Sequence, residues 1–213
     1  MNQIFKILIN NTNNNANLNK NDVEPLFIET VMQLDPNILN GLGNNIEGKL
    51  GNNEKRGERP YYPPYGWSAY GINVLNKYDN KNNDWLSCDG RPGEWCVAYH
   101  GACRGMNSEE VKRIIKLILV QNLKPGSGQA CQNDNDLNHP GQKVGIGVYC
   151  SPNPNVLESY AGIMNCKGIN FKVGFMLRVH PQKLRISSGN QDYWVVNGSF
   201  DELRPYRLLI KRV

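Results

Sequence analysis

The chain has 213 residues, room for one substantial domain with an extension, and its 39% hydrophobic and 20% charged content is that of a globular protein. A net charge of +5 suits an anionic ligand but is too mild to argue for nucleic-acid binding. No stretch approaches the roughly 18 apolar residues of a transmembrane helix, and the opening "MNQIFKILINN" lacks the apolar core and small-residue cleavage site of a secretory signal. The expectation is an intracellular protein that meets no membrane. Reduced thiols are then expected for Cys88, Cys96, Cys103, Cys131, Cys150 and Cys166, which never form a C-x-x-C zinc spacing; no metal site is expected.

Residues 10–22, "NNTNNNANLNKND", are too polar to bury a core and read as a linker. A helix is predicted over "PLFIETVMQL", opened by Pro25 at a tolerated first-turn position, and "NGLGNNIEGKLGNNEKRGERP" is loose again. Residues 1–58 are therefore assigned to an Asn-rich variable arm and 59–213 to the folded domain. Pro60, Pro63 and Pro64 forbid a helix at the start of that domain. Strands are predicted in "SAYGINVL" and, after a turn-rich loop, in the aromatic and β-branched "EWCVAYHG".

Asn107 then has Glu110 three residues on, the spacing of a capping box, and Val111, Ile114, Ile115 and Ile118 mark one helical face. Pro125 and Gly126 stop that helix. A polar loop, "SGQACQNDNDLNHPGQK", leads to a short strand in "VGIGVYCSP" and a helical turn or two in "NVLESYAGIM". "NFKVGFMLRVHP", "QDYWVVNG" and "ELRPYRLLIKRV" read as further strands. With at least five strands after residue 66, the pattern predicts an α+β domain of mainly antiparallel sheets with few helices.

Taken singly, His100 reads as a strand-end histidine satisfied by backbone, Tyr149 and Tyr160 as core aromatics, and Asp192 as a turn residue. Their order changes the reading. "YHG", a helix, a polar loop, "GVYCSP" with a second tyrosine eleven residues after the first, and a late "DYWVV" strand follow one another. This resembles the catalytic domain of the poly(ADP-ribose) polymerase-like ADP-ribosyltransferases, a superfamily that includes the diphtheria-type toxins. The likeness covers roughly residues 95–211 by motif order. The chain also looks like a group of uncharacterised proteins from protists and fungi.

The resemblance implies a split antiparallel β core with an NAD cleft. His100 matches the histidine that hydrogen-bonds the adenosine-side ribose of NAD, and Gly101 the glycine whose backbone holds the nicotinamide amide. Tyr149 matches the tyrosine by the nicotinamide ribose and ring, and Tyr160 the one that stacks on the ring. Asp192 falls where the family has a catalytic Glu, the family's serine position is Leu157 here, so that a nicotinamide hydrogen bond is either missing or supplied by Ser151, and Glu202 is a second-ranked carboxylate. His139 and Lys143 lie in the stretch that corresponds to the donor loop, with the pyrophosphate as their expected contact.

The residue types suit that chemistry. Oxidised nicotinamide is a planar cation, so tyrosine faces attract it. Breaking the bond to nicotinamide leaves positive charge on the ribose, which a carboxylate on the ribose 2′-hydroxyl stabilises. The expected activity is transfer of single ADP-ribose units from NAD to an acceptor, the acceptor class being open among protein, nucleic acid and small molecule. The alternatives are NAD hydrolysis and a catalytically inactive reader that binds a nucleotide or protein.

Overall fold

The computed structural model describes residues 38–45, 54–126, 129, 131–166 and 168–213. The linker over 10–22 and the helix predicted over 25–34 lie outside them. In chain order the first half carries β1 (Leu39–Asn45), β2 (Lys55–Arg56), β3 (Arg59–Pro60), β4 (Ser68–Ile72), β5 (Cys96–Gly101) and helix α1 (Ser108–Gln121). The second half carries β6 (Val148–Cys150), helix α2 (Pro154–Tyr160), β7 (Gly162–Cys166), β8 (Ile169–Val179), β9 (Arg185–Ile186), β10 (Trp194–Val196) and β11 (Leu203–Arg212). Among the described residues the fold is thus mixed α+β, with two α-helices and antiparallel sheets.

The main sheet has the order β1-β4-β11-β8-β5, and β7 also pairs with β8. Gly101 to Cys96 run against Gly174 to Val179, while Gly162 to Cys166 run against Val173 to Ile169, so β5 and β7 lie end to end along one side of β8. A smaller sheet, β6-β10-β9, stands apart. It meets the main sheet where Tyr99 and Ser151 form an antiparallel bridge.

The apolar runs of β8 and β11 explain their central position. Phe171, Val173, Phe175, Leu177 and Val179 of β8 and Leu208, Leu209 and Ile210 of β11 are all buried, the continuous hydrophobicity of strands covered on both faces. Arg204 is buried with them. Its guanidinium forks onto Asp79 at 2.6 and 2.7 Å and lies 4.2 Å from the Trp95 ring centre and 4.5 Å from that of Tyr78. A cation in a strand is stable here because aromatic faces and a carboxylate replace its water.

α1 forms as the pattern predicts. Asn107 accepts from the Glu110 N–H while Glu110 accepts from the Asn107 N–H, a complete capping box; of the expected face Val111, Ile115 and Ile118 are buried, Ile114 is half-buried, and Leu119 is buried in addition. α2 is the helical turn or two expected within "NVLESYAGIM", confined to the first part of that stretch. It ends at Tyr160, and Gly162, Met164 and Cys166 turn inward while Ile163 and Asn165 turn outward. That alternation has the period of a strand. Two stretches assigned to the arm also pair as strands, β1 with β4 and β2 with β3. Each is short or polar and lacks the apolar rhythm that marks a strand in sequence.

No helix among the described residues is long and apolar enough to cross a membrane. All six cysteines are free thiols, only Cys88 being exposed.

Candidate functional site

β5 and α2 pack closely because two glycines permit it. A Cβ on Gly101 would stand 2.5 Å from the Leu157 carbonyl oxygen and 2.7 Å from the Tyr160 carbonyl carbon. A Cβ on Gly174 would meet Leu157 Cδ1 at 2.3 Å. Leu157, fully buried, therefore bolts α2 to the sheet through the gap these glycines leave. The position that resembles a nicotinamide-binding serine is thus committed to packing.

Where β5, β6 and α2 converge, a cleft of about 300 Å³ opens. His100, Gly101, Tyr149, Ser151 and Tyr160 all line it, so five of the residues singled out in sequence come together. Tyr99, Cys150, Val156 and Leu157 complete its inner walls.

His100 is anchored by Nδ1, 2.7 Å from the Tyr149 carbonyl oxygen. A carbonyl only accepts, so Nδ1 carries the proton and donates. Nε2 is left as an acceptor with no partner among the described residues. Burial pushes the His100 pKa down, against the smaller effect of that hydrogen bond. The ring at neutral pH is neutral, with its free lone pair available to a hydroxyl donor.

Besides Tyr99, three tyrosines border the cleft. Tyr149 lies opposite Val195 on β10, its hydroxyl 3.4 Å from the Gly145 carbonyl oxygen, and burial with Cys131 and Asp134 nearby raises its pKa. Tyr160 ends α2, 42% exposed, with its hydroxyl 3.5 Å from that of Tyr193. The contact with Tyr160, together with burial, pushes the Tyr193 pKa up to about 12. Tyr193 was visible in sequence only as part of the "DYWVV" strand.

Ser151 is held by the bridge to Tyr99, and its Oγ accepts from the Asn153 N–H at 3.0 Å. Asp192 precedes Tyr193 but is not itself among the lining residues. Its Oδ2 accepts from Asn153 Nδ2 at 3.0 Å, which ties the carboxylate to the residue that caps α2. Glu202 is engaged elsewhere, accepting from the backbone and side chain of Asn197 at 2.8 and 3.1 Å.

The loop over 129–143 reaches the cleft through Gln129 and Cys131, not through His139 and Lys143. His139 Nδ1 sits 2.5 Å from Asp136 Oδ2, and Lys143 Nζ donates to Asn135 at 2.8 Å. Both side chains brace the loop itself. Gln129 is a lining residue, and its Oε1 is buried with no hydrogen-bond partner among the described residues. A lone glutamine in a polar loop gives no sequence signal, so this acceptor is legible only in three dimensions.

The chain matches no protein-family model and no curated protein.

Among the described residues the cleft lining thus combines aromatic faces with two residues that carry an unpaired acceptor (His100 Nε2 and Gln129 Oε1), and it includes no charged side chain. Cys131 and Cys150 also border it, and burial raises both thiol pKa values, so they are poor nucleophiles. Among the described residues no three His, Cys, Asp or Glu side chains cluster in a way that could hold a metal ion.

Proposed function

We propose that this cleft takes NAD as a substrate and that the protein transfers single ADP-ribose units from it to an acceptor, releasing nicotinamide. The observation that carries the reading is the state of His100: neutral, fixed through Nδ1, and offering Nε2 to a hydroxyl such as that of a ribose. The tyrosines suit a planar cation, and Gln129 Oε1 suits an amide N–H donor. A cleft of about 300 Å³ matches the nicotinamide riboside half of the dinucleotide, the low end of the roughly 300–1,000 Å³ of small-molecule sites.

In this reading the bond between nicotinamide nitrogen and ribose C1′ breaks, and its electron pair leaves with neutral nicotinamide. The acceptor's nucleophile forms the new bond to C1′ and gives up a proton. Asp192, held by Asn153 next to Tyr193, is the carboxylate assigned to the developing ribose charge. A second reading, a nucleotide-binding module without turnover, is favoured by one observation: among the described residues the cleft lining holds no carboxylate.

Incubation with NAD separates the two. Nicotinamide release together with a raised melting temperature supports transfer or hydrolysis, and labelling of an acceptor identifies transfer. A raised melting temperature without release identifies the binding module. With the protein folded, no shift at millimolar NAD overturns both.

A further inference from the structure

A second recess, of about 310 Å³, lies on the main sheet away from the cleft residues, and three arginines line it: Arg56, Arg178 and Arg207. Their charges are unequally met. Arg56 pairs with Glu54 at 2.9 Å and donates to the Lys55 carbonyl oxygen at 2.7 Å. Arg178, buried, gives two N–H groups to the carbonyl oxygens of Trp95 and Leu86, and its nearest carboxylate, Glu94, stands 3.8 Å away. Its Nε has no hydrogen-bond partner among the described residues.

Arg207 is different. Half-buried on β11, it has no carboxylate and no hydrogen-bond acceptor among the described residues; the Tyr206 ring lies 5.4 Å from its guanidinium carbon, and the Tyr61 hydroxyl is within its electrostatic reach. Among the described residues no carboxylate lines the recess. The remaining wall is apolar and includes Val74 and Leu75, Leu75 being 55% exposed, and Tyr61 closes one side. A guanidinium fork without a counter-ion above an apolar, concave surface is the pattern that recognises an oxyanion attached to a hydrophobic body. The recess has the volume of a small-molecule site, not the flat expanse of a protein interface.

We propose that this recess binds a small organic anion, an apolar or aromatic group bearing a phosphate or carboxylate, with Arg207 as its main anchor. The proposal is independent of what the first cleft does.

The test is titration of the full chain, followed by calorimetry and melting temperature, with phenyl phosphate, benzoate, inorganic phosphate and benzyl alcohol. Phenyl phosphate and benzoate are expected to bind and to stabilise; their ratio tells which oxyanion is preferred. Inorganic phosphate should bind at least about tenfold more weakly, and benzyl alcohol should not stabilise. Arg207→Gln should lower the affinity for phenyl phosphate at least about tenfold. Leu75→Glu, at an exposed wall position that the fold does not depend on, should do the same by like-charge repulsion.

Tyr160→Ala, in the other cleft, should leave that affinity unchanged. The proposal is overturned if neither phenyl phosphate nor benzoate binds. Equal affinity for phenyl phosphate and inorganic phosphate, unaltered binding in both Arg207→Gln and Leu75→Glu, or loss of binding in Tyr160→Ala also overturns it.

Discussion

In His100 a hydrogen bond fixes the tautomer, and burial sets the pH response. Its native pKa lies below the ordinary 6.5 because burial disfavours the imidazolium. Between the native value and 6.5 the unfolded chain binds the proton and the native ring does not, so stability falls as pH falls through that window and is fully present above it. The melting temperature of wild type should therefore decline more steeply on acidification below about pH 6.5 than that of His100→Gln, which cannot titrate. A parallel decline in the two proteins would refute the assignment. Asp192→Ala, by removing the carboxylate assigned to the ribose charge, should cut nicotinamide release at least about a hundredfold while NAD still raises the melting temperature. Glu202→Ala, whose carboxylate is spent on Asn197, should alter release little. At this scale sequence was informative where a residue sits in an ordered motif, as His100, Tyr149 and Tyr160 do. It was silent on Arg204 and Gln129, because burial of a single polar side chain depends on neighbours remote in the chain, such as Asp79 and Trp95 for Arg204.

The elements differ in how strongly their sequences dictate them. α1 is specified locally: a capping box at Asn107, an apolar face and a terminator all agree. Asn107→Ala should lower stability by about 1 kcal/mol, measured as a shift in urea midpoint at constant slope. α2 is specified by packing. Its seat on β5 depends on Gly101, where a methyl group would press on the Leu157 carbonyl oxygen. Gly101→Ala should cost about 1–3 kcal/mol by overpacking and weaken NAD binding as well, because the displaced helix carries Tyr160. If Gly101→Ala unfolds at the wild-type urea midpoint, the tight approach is not a constraint. The switch from α2 to β7 escaped the sequence reading for a related reason: "AGIM" suits either period, and pairing with β8 decides it. β1 and β9 are likewise strands by virtue of their partners, β4 and β10, and not of their own composition.

For the whole molecule, β8 is the common neighbour of β5, β7 and β11, so its amide hydrogens and those of β11 should exchange with solvent slowest, through global opening alone. A faster exchange there than in α1 would contradict a core centred on these strands. The smaller sheet is joined to that core differently. Tyr99 and Ser151 exchange two backbone hydrogen bonds, 2.7 and 2.9 Å long, and both residues border the cleft. Separating β6 from β5 breaks this pair and the His100–Tyr149 hydrogen bond, a local opening that leaves the ladders of both sheets intact. The Tyr99 and Ser151 amides thus act as a built-in clock for the parting of the cleft walls: their exchange times the opening directly, and a molecule that spans the walls should slow it while β8 keeps its own rate.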